Sequence, residues 1–162
     1  MNKILFVCHG NICRSVMAEM IMRHLVAQQE NTLNNDAKCL NATFLIDSCA
    51  TSREEIGNDI YPLAKRCLSA HDIPFTRHAA RQITQEDYEF FDLILCMEEY
   101  NIRNLRRVLG EEIMQRDADL PQPKIRRLLN HDVADPWYTG DFEVTYQDLI
   151  DGCTNLLSQL TR

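Results

Sequence analysis

Lys3-Ile4-Leu5-Phe6-Val7-Cys8-His9-Gly10-Asn11-Ile12-Cys13-Arg14-Ser15 decides the fold. Its first half is a short apolar run, as in a strand covered on both faces. From Ser15 the apolar residues Val16, Met17, Met20, Ile21, Leu25 and Val26 recur near every 3.6 positions, which predicts a helix to about Gln29. Strand, tight break and helix in this order open an α/β unit. Thr43 to Ile46 and Asp92 to Met97 repeat the buried-strand pattern, and Ile125 to Leu129 is a shorter candidate. Helical periodicity lies between them, at Leu63 to His71 (stopped at Ile73-Pro74), Thr84 to Phe90 and Tyr100 to Leu109 (ended by Gly110). An amphipathic helix closes the chain from Phe142 to Leu160. Asn31 to Asn41 reads as a polar loop, Ala50 to Asn58 as a charged loop, and Asp135 to Gly140 as an aromatic one. The expectation is a three-layer α/β/α domain over residues 1–162 with a central four-stranded parallel sheet. Ligands in such sheets bind at the carboxyl ends of the strands, where the Cys8–Ser15 segment and the Asp135 loop fall.

A chain of 162 residues is about one domain long and buries about two-thirds of its unfolded surface. With 45% hydrophobic and 25% charged residues it has globular composition, which excludes a disordered, collagen-like or coiled-coil protein. A formal charge of −7 speaks against nucleic-acid binding, which runs on phosphate neutralisation. No window reaches the length of a membrane span, and the apolar run at the N-terminus is too short for a signal peptide. Seven cysteines, an odd number, then suggest reduced thiols and a cytoplasmic location. Cys39, Cys49, Cys67, Cys96 and Cys153 read as packing residues. His24 and His71 read as helix-surface or core-edge residues, and Arg103, Arg106 and Arg107 as a solvated helix face.

The chemistry lies in the break. The N-terminus of a helix offers unpaired N–H groups and a partial positive charge, a ready anion site. The five residues between Cys8 and Arg14 suffice to curl around one tetrahedral anion. Gly10 and Asn11 tolerate the unusual backbone angles of such a curl, and Arg14 supplies a planar fork for two phosphate oxygens. The same N–H groups and cation favour the thiolate of Cys8, which then faces whatever the loop holds. Attack at phosphorus would give a phosphocysteine. Asp135 is the candidate to protonate the leaving oxygen and then to activate water. No metal or cofactor is needed, since Arg14 and the backbone neutralise the anion. A zinc site built from Cys8, Cys13 and a histidine lacks a second paired ligand set.

Cys8-His9-Gly10-Asn11-Ile12-Cys13-Arg14-Ser15 resembles the signature loop of the low-molecular-weight protein-tyrosine phosphatases. Asp47-Ser48, Ala50-Thr51-Ser52, His78-x-Ala80-Arg81-Gln82-Ile83, Leu95-Cys96-Met97 and Asp135-Pro136 follow in the family's order. The resemblance implies a cytoplasmic phosphatase acting on protein phosphotyrosine or small aryl phosphates, a monomer or weak dimer. It implies Cys8 as nucleophile, Arg14 as phosphate clamp and Asp135 as general acid. His9, Gly10, Asn11, Ile12 and Cys13 would form the rest of the phosphate loop. Ser15 would activate the thiolate, and Ser48 and His78 would support Asn11. Cys13 would trap oxidised Cys8 as a disulfide, although simple packing is an equal reading of that residue. Trp137 and Tyr138 would wall the cleft, or Trp137 would anchor a partner. Val16 stands where the family has Pro, and His9 where it has a small or apolar residue. Glu54 stands where an aromatic residue usually walls the cleft, and it also reads as plain loop charge together with Glu55. Arsenate reduction is disfavoured by Cys13 before the Arg and by the lack of a paired Cys motif. Arginine-phosphatase activity is disfavoured by Ile12, and a phosphocarrier role by Arg14 and Asp135-Pro136.

Overall fold

The computed structural model describes residues 1–35 and 44–162. Four strands, β1 (Asn2–Cys8), β2 (Phe44–Ala50), β3 (Leu93–Cys96) and β4 (Ile125–Arg127), form a parallel sheet in the order β2-β1-β3-β4. Alternation along β1 divides the core. Ile4, Phe6 and Cys8 join one buried cluster with residues of α1 (Arg14–Asn35), α2 (Pro62–Ala70) and α7 (Phe142–Leu160). Leu5 and Val7 join the other with α3 (Gln85–Phe90), α4 (Glu99–Leu109) and α5 (Glu111–Ala118). Side chains of successive strand residues point to opposite faces, so one strand seeds both layers and the expected three-layer architecture is present.

Several elements differ from the sequence reading. Helix α1 runs on to Asn35, six residues past Gln29. Asparagine costs only a fraction of a kcal/mol per residue in a helix already nucleated. Asn31 to Asn35 is thus helical rather than loop, and the rest of that stretch, Cys39 included, lies outside the described residues. Strand β2 extends through Asp47 and Ser48 to Ala50, and β4 stops at Arg127. Helix α2 already ends at Ala70, with His71 as its cap. Helix α5 has no counterpart in the reading. Gly110, at φ 92°, ends α4 and immediately starts α5. Within α5, Asp117 accepts hydrogen bonds from the N–H groups of Lys124 and Ile125, and so positions β4. The Asp135 loop contains a single turn, α6 (Pro136–Thr139), capped by Asp135 and ended by Gly140. Asp at the cap and Pro at the first helical position are both standard start signals.

The chain leaves β1 for β2 on one side and returns to β3 on the other. The carboxyl end of β1 therefore lies where the strand order reverses, the usual place for a ligand crevice. Cys8 is the last residue of β1.

Candidate active site

Residues 8–14 form a loop whose shape is imposed from outside. The Cys8 and His9 carbonyls accept from the N–H groups of Thr51 and Ser52, at 2.9 and 3.1 Å. The Ile12 carbonyl accepts from Tyr61 N–H and the Cys13 carbonyl from Met17 N–H, both at 2.9 Å. His78 Nε2 lies 2.8 Å from the Asn11 carbonyl and 3.1 Å from Asn11 Oδ1. Both partners are acceptors, which assigns the His78 proton to Nε2.

Asn11 is the knot of the loop. It is fully buried, and its φ of 60° lies in the left-handed region that Asn enters more readily than most residues. Its Nδ2 donates to Ser15 Oγ and Ser48 Oγ, each at 2.9 Å, and its Oδ1 also accepts from Arg81 N–H at 3.2 Å. Ser48 in turn donates to Glu19 at 2.5 Å, and Glu19 pairs with Arg23 at 2.6 Å. Burial raises the Glu19 carboxyl above its ordinary range, against the Ser48 hydrogen bond and the Arg23 charge. Gly10, in contrast, needs no positive φ among the described residues, which corrects the conformational reason given above. Its value is space: a Cβ there would sit 3.3 Å from Glu55 Cγ.

Cys8 is buried at the floor of the cleft. Its Sγ lies 3.1 Å from Ser15 Oγ and accepts from Asn11 N–H at 3.3 Å. As a thiol it donates to Ser15. Because Ser15 Oγ already accepts from Asn11, its hydroxyl proton can turn to the sulfur once Cys8 is ionised. Arg14 is buried and paired twice, with Glu98 and with Asp135, each at 3.0 Å. It also donates to the Val133 carbonyl at 3.2 Å. Burial opposes the Arg14 charge, but the Glu98 hydrogen bond and the charges of Cys8, Asp135 and Glu98 more than offset this and raise the guanidinium. Cys13 behaves oppositely. Burial, then the Cys8 and Asp135 charges, push its thiol up to about 12, against the pull of Arg14.

Asp135 reaches Arg14 because its segment is tied on three sides. Val133 N–H donates to the Met97 carbonyl at 2.8 Å. Thr145 Oγ1 donates to the Ala134 carbonyl at 2.8 Å, and Asp135 Oδ1 accepts from Trp137 N–H at 3.0 Å. Asp135, Trp137, Tyr138 and residues 8–14 border one cleft of about 570 Å³, together with Glu54, Glu55, Glu98 and Tyr100. Trp137 packs edge-on against Tyr61, ring centroids 5.3 Å apart, and is 60% exposed. Glu54 pairs with His9 across the mouth at 2.9 Å while its side chain stays 69% exposed. Ser15, Ser48 and His78 stand behind the loop.

Sequence reasoning missed Glu98, Tyr100, Tyr61 and Glu19; Glu55, read above as loop charge beside Glu54, borders the cleft with it. Glu98 had a weak signal as the residue just past β3, at a strand's carboxyl end. Asn101 Oδ1 accepts from Glu98 N–H at 3.1 Å and so fixes its place at the start of α4.

Residues 3–162 match the family model of the low molecular weight phosphotyrosine protein phosphatases. The human low molecular weight phosphotyrosine protein phosphatase is 38% identical over 164 residues, spanning 96% of this chain and 94% of its own. The Bacillus subtilis low molecular weight protein-tyrosine-phosphatase YfkJ is 35% identical, spanning 100% and 97%. In three dimensions the Streptococcus pyogenes low molecular weight protein tyrosine phosphatase superposes with a TM-score of 0.81 at 36% identity, covering 100% of this chain and 95% of its own. The parallel sheet thus carries a Cys-x5-Arg loop at its switch point, set against a distant Asp-Pro. The chain belongs to the low molecular weight phosphotyrosine protein phosphatase family.

Proposed function

We propose that the protein hydrolyses phosphotyrosine in proteins, and small aryl phosphates, through a phosphocysteine on Cys8. The observation that carries this is the orientation of the loop. In a trans peptide the C=O of one residue and the N–H of the next point in opposite directions. The carbonyls of Cys8, His9, Asn11, Ile12 and Cys13 are all taken by donors outside the loop or by the first turn of α1. The N–H groups of His9, Gly10, Ile12, Cys13 and Arg14 therefore face away from those donors, toward the cleft that these residues border. They form a nest for a phosphoryl group above the Cys8 sulfur.

On this reading the phosphate displaces the two carboxylates from the Arg14 fork. Protonated Asp135, freed from Arg14, donates to the tyrosyl oxygen as Cys8 attacks phosphorus. The P–O bond breaks, the P–S bond forms, and the phenol leaves neutral. Asp135, now a carboxylate, takes a proton from water, which attacks the phosphocysteine and returns phosphate and the Cys8 thiolate. The loop N–H groups and Arg14 meet the charge on the equatorial oxygens in both steps. Trp137, backed by Tyr61, and Tyr138 supply an apolar side for the aromatic ring. Phosphate release from phosphotyrosine, phosphoserine and phosphoarginine peptides without added metal tests the assignment. The phosphotyrosine peptide is expected to be the best substrate by kcat/KM, and a preference for either of the others would overturn it.

The mouth of the cleft sets peptide preference. Glu54 cannot stack on a tyrosyl ring, and an aromatic contact there is worth about 0.5–1.5 kcal/mol beyond its area. Glu54→Trp is expected to lower KM for phosphotyrosine peptides several-fold with little change in kcat. It should also narrow the advantage of Lys-flanked over Glu-flanked peptides, an effect that shrinks at high salt. Steady-state kinetics on the two peptide series checks both, and unchanged KM and flank preference would leave Glu54 a solvated loop charge.

Cys13 is proposed as the thiol that rescues oxidised Cys8. With its thiol pushed up to about 12, Cys13 is protonated at neutral pH, so peroxide acts first at Cys8. Sulfenic acid on Cys8 then condenses with Cys13, giving a disulfide and releasing water. Since the attacking form is the Cys13 thiolate, closure should quicken as pH rises, by up to tenfold per unit below that value. Mass spectrometry of peroxide-treated protein across pH 6–9 follows the disulfide. In Cys13→Ser, Cys8 should climb on to sulfinic acid, and the activity lost to peroxide should become largely irrecoverable with dithiothreitol. Equal recovery in both proteins would exclude Cys13 as the resolving thiol.

A further inference from the structure

On the face where α2 meets α7, the fold assembles three side chains that the proposed phosphatase chemistry does not use. Cys67 and His71 stand four residues apart, at the end of α2 and on its cap, and so share one face. Glu143 lies in the first turn of α7. One ligand atom from each of the three lies within 4.8 Å of the other two. Cys67 Sγ is 3.8 Å from Glu143 Oε2, and His71 Nε2 hydrogen-bonds Glu143 Oε1. The ring of His71 is stacked on Tyr146, centroids 3.7 Å apart and 9° from parallel, so its plane is fixed. Cys67 is buried, whereas the side chains of His71 and Glu143 are 30% and 63% exposed, which leaves a way in from solvent.

We propose that Cys67, His71 and Glu143 form a binding site for a zinc ion. A thiolate, an imidazole and a carboxylate are zinc's protein donors, at about 2.0–2.3 Å from the metal, and a water would complete the tetrahedron. Donors at such distances lie about 3.5 Å from one another, so the hydrogen-bonded His71–Glu143 pair would open and the three draw together around the ion. Calcium and magnesium are excluded as occupants by the sulfur and nitrogen donors, since both favour oxygen. On binding, the Cys67 S–H proton leaves to water as the S–Zn bond forms, and His71 gives zinc its Nε2 lone pair, any proton on that nitrogen passing to water or to Nδ1. The ion would tie α2 to α7 beneath the cleft wall. Tyr61, which precedes α2, contacts both Trp137 and Phe142, and Phe142 adjoins Glu143.

Cobalt(II) reports the site without reference to activity. Chelator-treated full-length protein is titrated with cobalt alone, and then with competing zinc. The wild type and Cys8→Ser should each bind one equivalent, with thiolate-to-cobalt charge-transfer and tetrahedral ligand-field absorption. Cys67→Ser should lose the charge-transfer band. His71→Asn and Glu143→Gln, at more exposed positions, should each weaken binding by at least about tenfold. They carry the test if Cys67→Ser does not fold. Zinc should raise Tm for the wild type and Cys8→Ser but not for His71→Asn. A band lost in Cys8→Ser and retained in Cys67→Ser would place the ion in the phosphate loop and overturn the proposal. So would the absence of cobalt binding in the wild type, leaving the three side chains a hydrogen-bonded cluster.

Discussion

Cys8→Ser is expected to hydrolyse no aryl phosphate measurably while still binding phosphate or vanadate. The two outcomes separate because different atoms carry them. Turnover needs a sulfur nucleophile at the loop floor, and removing a nucleophile elsewhere costs on the order of 10⁶ in kcat. Anion binding needs the loop N–H groups and Arg14, and apart from the Asn11 and Ser15 contacts of Cys8 Sγ the loop is held by bonds to other elements. Thr51, Ser52, Tyr61 and His78 grip its carbonyls, and Asn11 ties it to Ser48 and Ser15. Calorimetric titration with phosphate, beside an aryl phosphatase assay, checks both. Substantial residual turnover would remove Cys8 from the mechanism, and lost anion binding would show that the sulfur shapes the loop.

Asp135→Asn should lower kcat/KM by about 10²–10⁴-fold for phenyl phosphate, the usual worth of a general acid. For a nitrophenyl ester, whose oxygen leaves without a proton, the loss in kcat/KM should be small, while kcat falls because the water step has lost its base. Asn is the informative replacement because it also caps helices well, and so can keep the contact of residue 135 with Trp137 N–H. It removes one of the two negative partners of Arg14 and leaves the other, Glu98, in place. Equal losses of kcat/KM with both esters would make Asp135 a residue that shapes the cleft rather than a proton donor.

The sheet and its switch point were legible because β1, β2 and β3 are short apolar runs and the break after β1 holds residues suited to a tight turn. Helix α5 was not, because Gly110 both ends one helix and opens the next, and a reading that expects glycine to stop a helix stops there. At the candidate site, the Cys8–Arg14 loop and Asp135 stood out in the sequence because their residue types suit the proposed chemistry, and the structure sets them on one cleft. Glu98 did not stand out, since a glutamate at the start of a helix is common and only the buried guanidinium 84 residues away gives it meaning. Glu54 was recognised as a departure from the family pattern, but its pairing with His9 required both to lie at one mouth. Cys67 and His71 read as ordinary helix residues for a similar reason, since Glu143 comes from the other side of the chain.

The most direct test of the phosphocysteine mechanism is to trap its intermediate. Wild-type protein turning over a labelled aryl phosphate is stopped by rapid denaturation, digested, and mapped by mass spectrometry. The account predicts one phosphorylated peptide, with the phosphoryl group on the sulfur of Cys8. It should build up in Asp135→Asn with the nitrophenyl ester, where the water step has lost its base. Phosphate on another residue, or none in either protein while turnover continues, would contradict it.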